Sequence, residues 1–181
     1  MPILKLAAES SLLLVVDVQT EFLKVIHGAE QVIQRTRFLA ECAAQLGVPV
    51  VATEQNPDRL GKLDPQIAEF CQDVRPKMAF SAVEPFGESY FSSVVVVVGV
   101  EAHICVAQTV RDLRATGVPV VVAADAVSAR STDMTQNGLA RARDFGAEIS
   151  HTESVVYEWM STAAHPKFRD VLSVVKRFPA S

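Results

Sequence analysis

Three residue types in this chain could do covalent chemistry if the fold brought them together: a thiol, a carboxylate and an ammonium. The thiol is Cys105 in "VVVVVGVEAHICVAQTV", where five valines run into Gly99 and a helical pattern follows. A cysteine in the first turn of a helix meets unpaired backbone N–H groups and the positive end of the helix dipole. That position predicts a lowered thiol pKa. Cys42 and Cys71 read instead as inert, hydrophobe-like thiols. The carboxylate is Asp17, directly after "LLLVV". A charge beside such a run must be paired or hydrogen-bonded, either to cap the following loop or to serve a site. The ammonium is Lys77 in "RPKMAFS", either a surface lysine or the partner of a buried acid.

Other chemistries lack their residues. No G-x-G-x-x-G follows the first apolar run, because the next glycine is Gly28, so a dinucleotide site is not expected. Asp17-Val18-Gln19 is not the Asp-x-Asp of a magnesium-dependent phosphotransferase. Glu54 alone, His103 and Cys105 two apart, and the isolated His151 and His165 do not form a ligand set, so neither metal nor other cofactor is expected.

The elements that would position these groups follow from hydrophobic patterning. Leu12–Val18, Val48–Thr53, Val94–Gly99 and Val118–Ala124 are apolar on both faces, as strands covered on both sides of a parallel sheet must be. Ala147–Ser150 is a weaker fifth strand, and Asp73–Met78 is a candidate sixth that Pro76 confines to an edge or to extended loop. Helical periodicity spans Ala29–Leu46, Cys105–Ala115 and Thr135–Phe145. "LGVPVV", "TGVPVV" and "FGAEIS" repeat one helix-to-strand joint, with glycine where the helix ends. The expected fold is α/β: a three-layer, doubly wound, mostly parallel sheet of about six strands in Rossmann-like order 3-2-1-4-5-6. Ligands in such a fold bind beyond the carboxyl ends of the strands, where Asp17 and Cys105 fall.

The chain has 181 residues, 49% hydrophobic and 21% charged, with a net charge of −4, which suits one soluble domain over 1–181. Scattered Lys and Arg give no nucleic-acid footprint. The run Leu12–Val16 is too short to span a bilayer, and the N-terminus lacks the order of a signal peptide. An odd number of cysteines without a CxxC pair points to a reducing, cytoplasmic setting. The late segment Glu153–Phe178 carries enough apolar surface to cover the sheet or to form an interface.

Asp17, Lys77 and Cys105 in these contexts, together with "TEQNPDRLG", "AADAVSARS" and "HPKF", resemble the isochorismatase-like cysteine hydrolases, closest to the isochorismatase-domain-containing proteins. The resemblance covers nearly the whole chain. It implies a triad of Asp17 as base, Lys77 as cationic partner and Cys105 as nucleophile. It also implies a cis peptide between Val100 and Glu101, which would aim the Glu101 N–H, with that of Cys105, into an oxyanion hole. Nicotinamidases of this family carry an Asp-x-His metal cluster where this chain has Glu54-Gln55-Asn56, and isochorismate-cleaving relatives lack the cysteine. The resemblance therefore implies cleavage of an amide-type C–N bond in a small molecule by a homo-oligomer; the alternative reading is a non-hydrolytic reactive-thiol or vestigial-site oligomeric binding protein. Gln19, Phe22, Glu54, Phe80 and His103 are the candidate substrate-binding residues.

Overall fold

A computed structural model describes residues 5–179. Six strands, β1 (Ser11–Val16), β2 (Val50–Gln55), β3 (Asp73–Lys77), β4 (Val94–Gly99), β5 (Val120–Val127) and β6 (Glu148–Ser150), form one sheet in the order β3-β2-β1-β4-β5-β6. All five pairings are parallel. The helices are α1 (Ala29–Leu46), α2 (Pro57–Leu60), α3 (Pro65–Ala68), α4 (Val83–Phe86), α5 (Ala107–Ala115), α6 (Thr132–Asp144), α7 (Thr152–Met160) and α8 (Phe168–Arg177). The doubly wound fold and strand order expected from the sequence are therefore observed.

The period of two along each strand builds two cores. Leu13 and Val15 of β1 and Val94, Val96 and Val98 of β4 pack on the face covered by α1, α7 and α8. Leu12, Leu14, Val16, Val95 and Val97 pack on the opposite face, with α5 and α6. Each such side chain, fully removed from water, contributes about 1.5–3 kcal/mol. The late segment covers the sheet: Val155, Val156, Trp159 and Met160 of α7 and Val171 and Val174 of α8 all enter the first core. Trp159 Nε1 also donates to Ser11 Oγ at 3.0 Å, which ties α7 to the start of β1.

Four boundaries that differ from the sequence expectation do so for a local reason. At all three helix-to-strand joints a backbone N–H reaches five residues back: Val48 to Ala43 O, Val118 to Leu113 O and Ala147 to Ala142 O. These closures retain Val48 and Val118 at the helix ends, so β2 and β5 begin two residues later than their apolar runs. β1 stops at Val16 because Asp17 adopts a left-handed conformation with φ +55. Helix α6 begins earlier because Ser131 caps it, accepting from the Met134 N–H at 3.2 Å. β3 is the edge strand, where Pro76 leaves no ladder donor unmet.

Candidate active site

Parallel register brings the sequence-distant groups together. Val16 is level with both Thr53 of β2 and Gly99 of β4, so Asp17 emerges between the ends of those strands. One strand further out, Gln55 is level with Lys77. The close approach of β1 and β4 needs a residue without a side chain: a Cβ on Gly99, at φ +118, would lie 2.0 Å from Val16 O. The chain then turns through Val100 and Glu101, whose peptide bond is cis, into a π-helical turn over Ala102–Val106 that continues as α5. Single π turns of this kind recur at functional sites.

Asp17 and Lys77 are both buried and meet at 2.7 Å between Oδ2 and Nζ. Thr53 Oγ1 donates to the other carboxylate oxygen at 2.7 Å. The ammonium also donates to Gln55 Oε1 (2.6 Å), Phe80 O (2.9 Å) and Ala79 O (3.2 Å). Cys105 is only 3% exposed, and its thiol lies within electrostatic reach of the Asp17 carboxylate. The Glu101 N–H acts on the same sulfur in the opposite sense, favouring the thiolate.

Electrostatics at the thiol run opposite to the expectation from helix position. Burial, then the Asp17 charge and its hydrogen bond, push Cys105 up to about 12, while Lys77 and the Glu101 N–H act against them. A thiolate in a dry site beside a carboxylate costs more than the helix terminus returns. Burial also raises the Asp17 carboxyl above its ordinary range, opposed by Lys77, Thr53 and Cys105. Burial thus disfavours the charged form of both the Cys105 thiol and the Asp17 carboxyl, and the Lys77 ammonium opposes it at both.

The remaining candidates fall in different places. Gln19 is buried and engaged with the chain itself: its Nε2 donates to Gln55 O (3.0 Å) and Gly61 O (2.7 Å), and its Oε1 accepts from the Gln55 N–H (2.7 Å). Glu54 accepts from the Leu63 N–H at 2.9 Å and from Lys62 Nζ at 3.1 Å, fixing the loop beyond β2. Phe22 packs, half-buried, against the core on the α1 face. Phe80 is 52% exposed, with its carbonyl on Lys77. His103 lies in the π turn; its carbonyl accepts from Arg141 Nη1 at 3.1 Å, and its Nδ1 is buried without a partner. The Glu101 carboxylate accepts from Arg130 Nε at 2.9 Å.

Four residues that carry the site were not singled out from sequence: Thr53, Gln55, Thr109 and Gly138. Thr109 Oγ1 donates to Cys105 O at 2.7 Å and accepts from the Ala82 N–H at 2.9 Å. Gly138 lets α6 rest on the nucleophile turn, since a Cβ there would lie 2.4 Å from the Ala102 carbonyl carbon. Among the described residues no group of three or more His, Cys, Asp or Glu side chains could hold a metal ion. No described helix is long and apolar enough to cross a membrane.

An α/β sheet with a thiol, a carboxylate and an ammonium gathered at its carboxyl edge defines a class of fold and site. Within that class, the isochorismatase domain matches residues 11–154, and the chain belongs to the isochorismatase family. Isochorismatase domain-containing protein 2 of Xenopus laevis is 32% identical over 176 residues, covering 94% of this chain and 86% of that protein. A secreted isochorismatase effector of Phytophthora sojae is 33% identical, covering 95% and 87%. Among solved structures, the MAR1 ribonuclease of Caenorhabditis elegans superposes with a TM-score of 0.93 at 31% identity, covering 98% of this chain and 95% of that one. The YcaC gene product of Escherichia coli, described as an octameric hydrolase of unknown specificity, shares the fold, with a TM-score of 0.81 at 17% identity over 99% and 100% of the two chains.

Proposed function

We propose that this chain is a cysteine hydrolase that cleaves an amide-type C–N bond of a small molecule through a thioester, with Cys105 as nucleophile, Asp17 as base and Lys77 as the cation that holds it. The observation that carries the reading is the buried Asp17–Lys77 pair at 2.7 Å, with the Cys105 thiol close enough for the same carboxylate to govern its ionisation. Sulfur bonds to the carbonyl carbon as its proton passes to Asp17. The developing oxyanion is received by the N–H groups of Glu101 and Cys105. The C–N bond then breaks, and Asp17 delivers the proton to the leaving nitrogen. Water attacks the thioester and gives its proton to Asp17. Sulfur leaves, regains that proton, and the carboxylic acid is released. A raised Asp17 pKa suits this exchange, because it makes the carboxylate a better acceptor for a thiol proton.

The test is a panel of amides and esters read by product formation and by intact-protein mass. Turnover with an acyl adduct on Cys105, both lost in Cys105→Ala, is the expected result. Full activity in Cys105→Ala would overturn it. A ribonuclease activity is a second reading, favoured by the printed name of the Caenorhabditis elegans neighbour. A net charge of −4 weighs against it, because phosphate backbones are held chiefly by cations. Release of fluorescence from a quenched RNA probe decides that reading. The remaining expectations are one domain over 1–181, cytoplasmic location and homo-oligomeric assembly. The unpaired cysteines support the second and the octameric neighbour the third, whereas the secreted relative gives the opposite location. Light scattering of the purified protein measures the assembly.

A further inference from the structure

We propose that the segment Met78–Ala82 is a rim that selects the acyl part of the substrate, and that it admits uncharged molecules with an apolar chain, with Phe80 as the principal contact. This rests on the cysteine-hydrolase reading of the same site. The segment is a bridge over the cluster. Met78 O accepts from Gln55 Nε2 at 3.0 Å, and Ala79 O and Phe80 O accept from the Lys77 ammonium. At its far end the Ala82 N–H donates to Thr109 Oγ1, which in turn donates to the carbonyl of Cys105 itself. Five residues thus run from the cation to the nucleophile, with the backbone fixed inward at both ends.

The side chains that this backbone presents outward are Met78, 70% exposed, and Phe80, 52% exposed. Large apolar side chains held open on a tightly anchored backbone have little packing role within the chain, and these two stand on the segment that holds the Lys77 ammonium. Charge fixes the class of ligand. Asp17 is paired with Lys77, Glu54 with Lys62 at 3.1 Å, and Glu101 with Arg130 at 2.9 Å. The Lys77 ammonium already has four oxygen acceptors. An anionic acyl group would be brought beside Asp17 with that cation already engaged, which is costly in a dry site.

The experiment measures alkylation of Cys105 by iodoacetamide, N-hexyl iodoacetamide and iodoacetate, quantified by peptide mass spectrometry with Cys71 of the same chain as reference. Relative to Cys71, Cys105 is expected to favour the hexyl reagent over iodoacetamide by about tenfold, the effect of burying two methylenes, and to disfavour iodoacetate by a similar factor. Phe80→Ala should abolish the hexyl preference and Phe80→Leu should retain part of it, with Met78→Ser as an independent second variant. Equal ratios at Cys105 and Cys71, or ratios unchanged in both Phe80→Ala and Met78→Ser, overturn the proposal. So does a change of oligomeric mass in Phe80→Ala with the ratios intact, which would assign the side chain to an interface. Turnover of p-nitrophenyl butyrate is followed separately. Its absence with the hexyl preference intact counts against the hydrolase reading and not against the rim.

Discussion

Asp17 and Lys77 meet at 2.7 Å with neither side chain reached by solvent. Desolvating both charges is expensive, and removing one partner leaves the other buried and uncompensated. Lys77→Met is therefore expected to destabilise the fold by about 3–5 kcal/mol, with loss of any Cys105-dependent activity. Asp17→Asn retains a residue that tolerates the left-handed backbone at this position but lacks the base. In a double-mutant cycle by urea denaturation, the pair Asp17→Asn and Lys77→Met should cost less than the sum of its parts. Strict additivity would show that the two charges do not depend on each other.

Cys42 and Cys105 are both pushed up to about 12, with burial the first cause in each case. An unfolded thiol titrates near 8.5, so above that pH the unfolded chain releases its protons first, at about 1.4 kcal/mol per pH unit per thiol. The stabilising contribution is complete below the unfolded pKa and declines as pH rises toward the folded one. Urea midpoints are expected to fall steadily from about pH 8 to pH 10, and less steeply in Cys42→Ala. Midpoints independent of pH over this range would contradict the assignment.

The same burial predicts the reactivity of the nucleophile without substrate. Alkylation of Cys105 by iodoacetamide should show no plateau near the ordinary thiol pKa of about 8.5 and should still be rising above about pH 10. A titration midpoint close to 8.5 would mean that the thiolate is not disfavoured in the folded chain.

Gly138 packs directly on the backbone of the nucleophile turn. Gly138→Ala forces α6 away from Ala102 or shifts the turn, and overpacking of this kind costs about 1–3 kcal/mol. Activity should fall further than stability alone explains, because the displaced amides are those beside Cys105. Circular dichroism melts and steady-state kinetics on the same sample separate the two effects. Unchanged kcat and melting temperature would show that the contact is yielding.

A second polar cluster lies away from Cys105. Arg35 of α1 donates to Asp125 Oδ2 at 2.9 Å and to Thr152 Oγ1 at 2.7 Å, and its Nη1 reaches Phe178 O at 3.2 Å. It binds one helix to β5, α7 and the C-terminal segment, so its role is structural. Arg35→Leu should cost about 3–5 kcal/mol by stranding Asp125, while the ratio of hexyl to plain alkylation at Cys105 stays as in the wild type. A changed ratio would link this cluster to the site.

Much of this molecule is legible in one sequence because its strands are covered on both faces. Runs such as Leu12–Val16 and Val94–Val98 have no other economical reading, and the observed bounds of α1 coincide with its periodicity. The ends of elements were less legible. Whether Val48 belongs to a helix closure or to a strand depends on a hydrogen bond to Ala43 that no hydropathy pattern records. Asp17, Lys77 and Cys105 stand out because each is anomalous for its surroundings. Thr53, Gln55 and Thr109 do not, since each is an ordinary polar residue whose partner is fixed only by register or helix packing. The direction of the Cys105 pKa was misjudged for a related reason: position along a helix is visible in sequence, and depth below the surface is not.

Lys77 closes an edge strand of the sheet, whereas Asp17 and Cys105 follow its two central ones. Edge segments open more readily than central ones, and amide exchange records that as lower protection. Local opening of β3 would remove the ammonium from the Cys105 cluster while the rest of the domain stayed folded. A chain that is folded by every bulk measure could spend part of its time with the ammonium withdrawn and the carboxylate stranded. Such a site would fade on warming well before the fold itself melts.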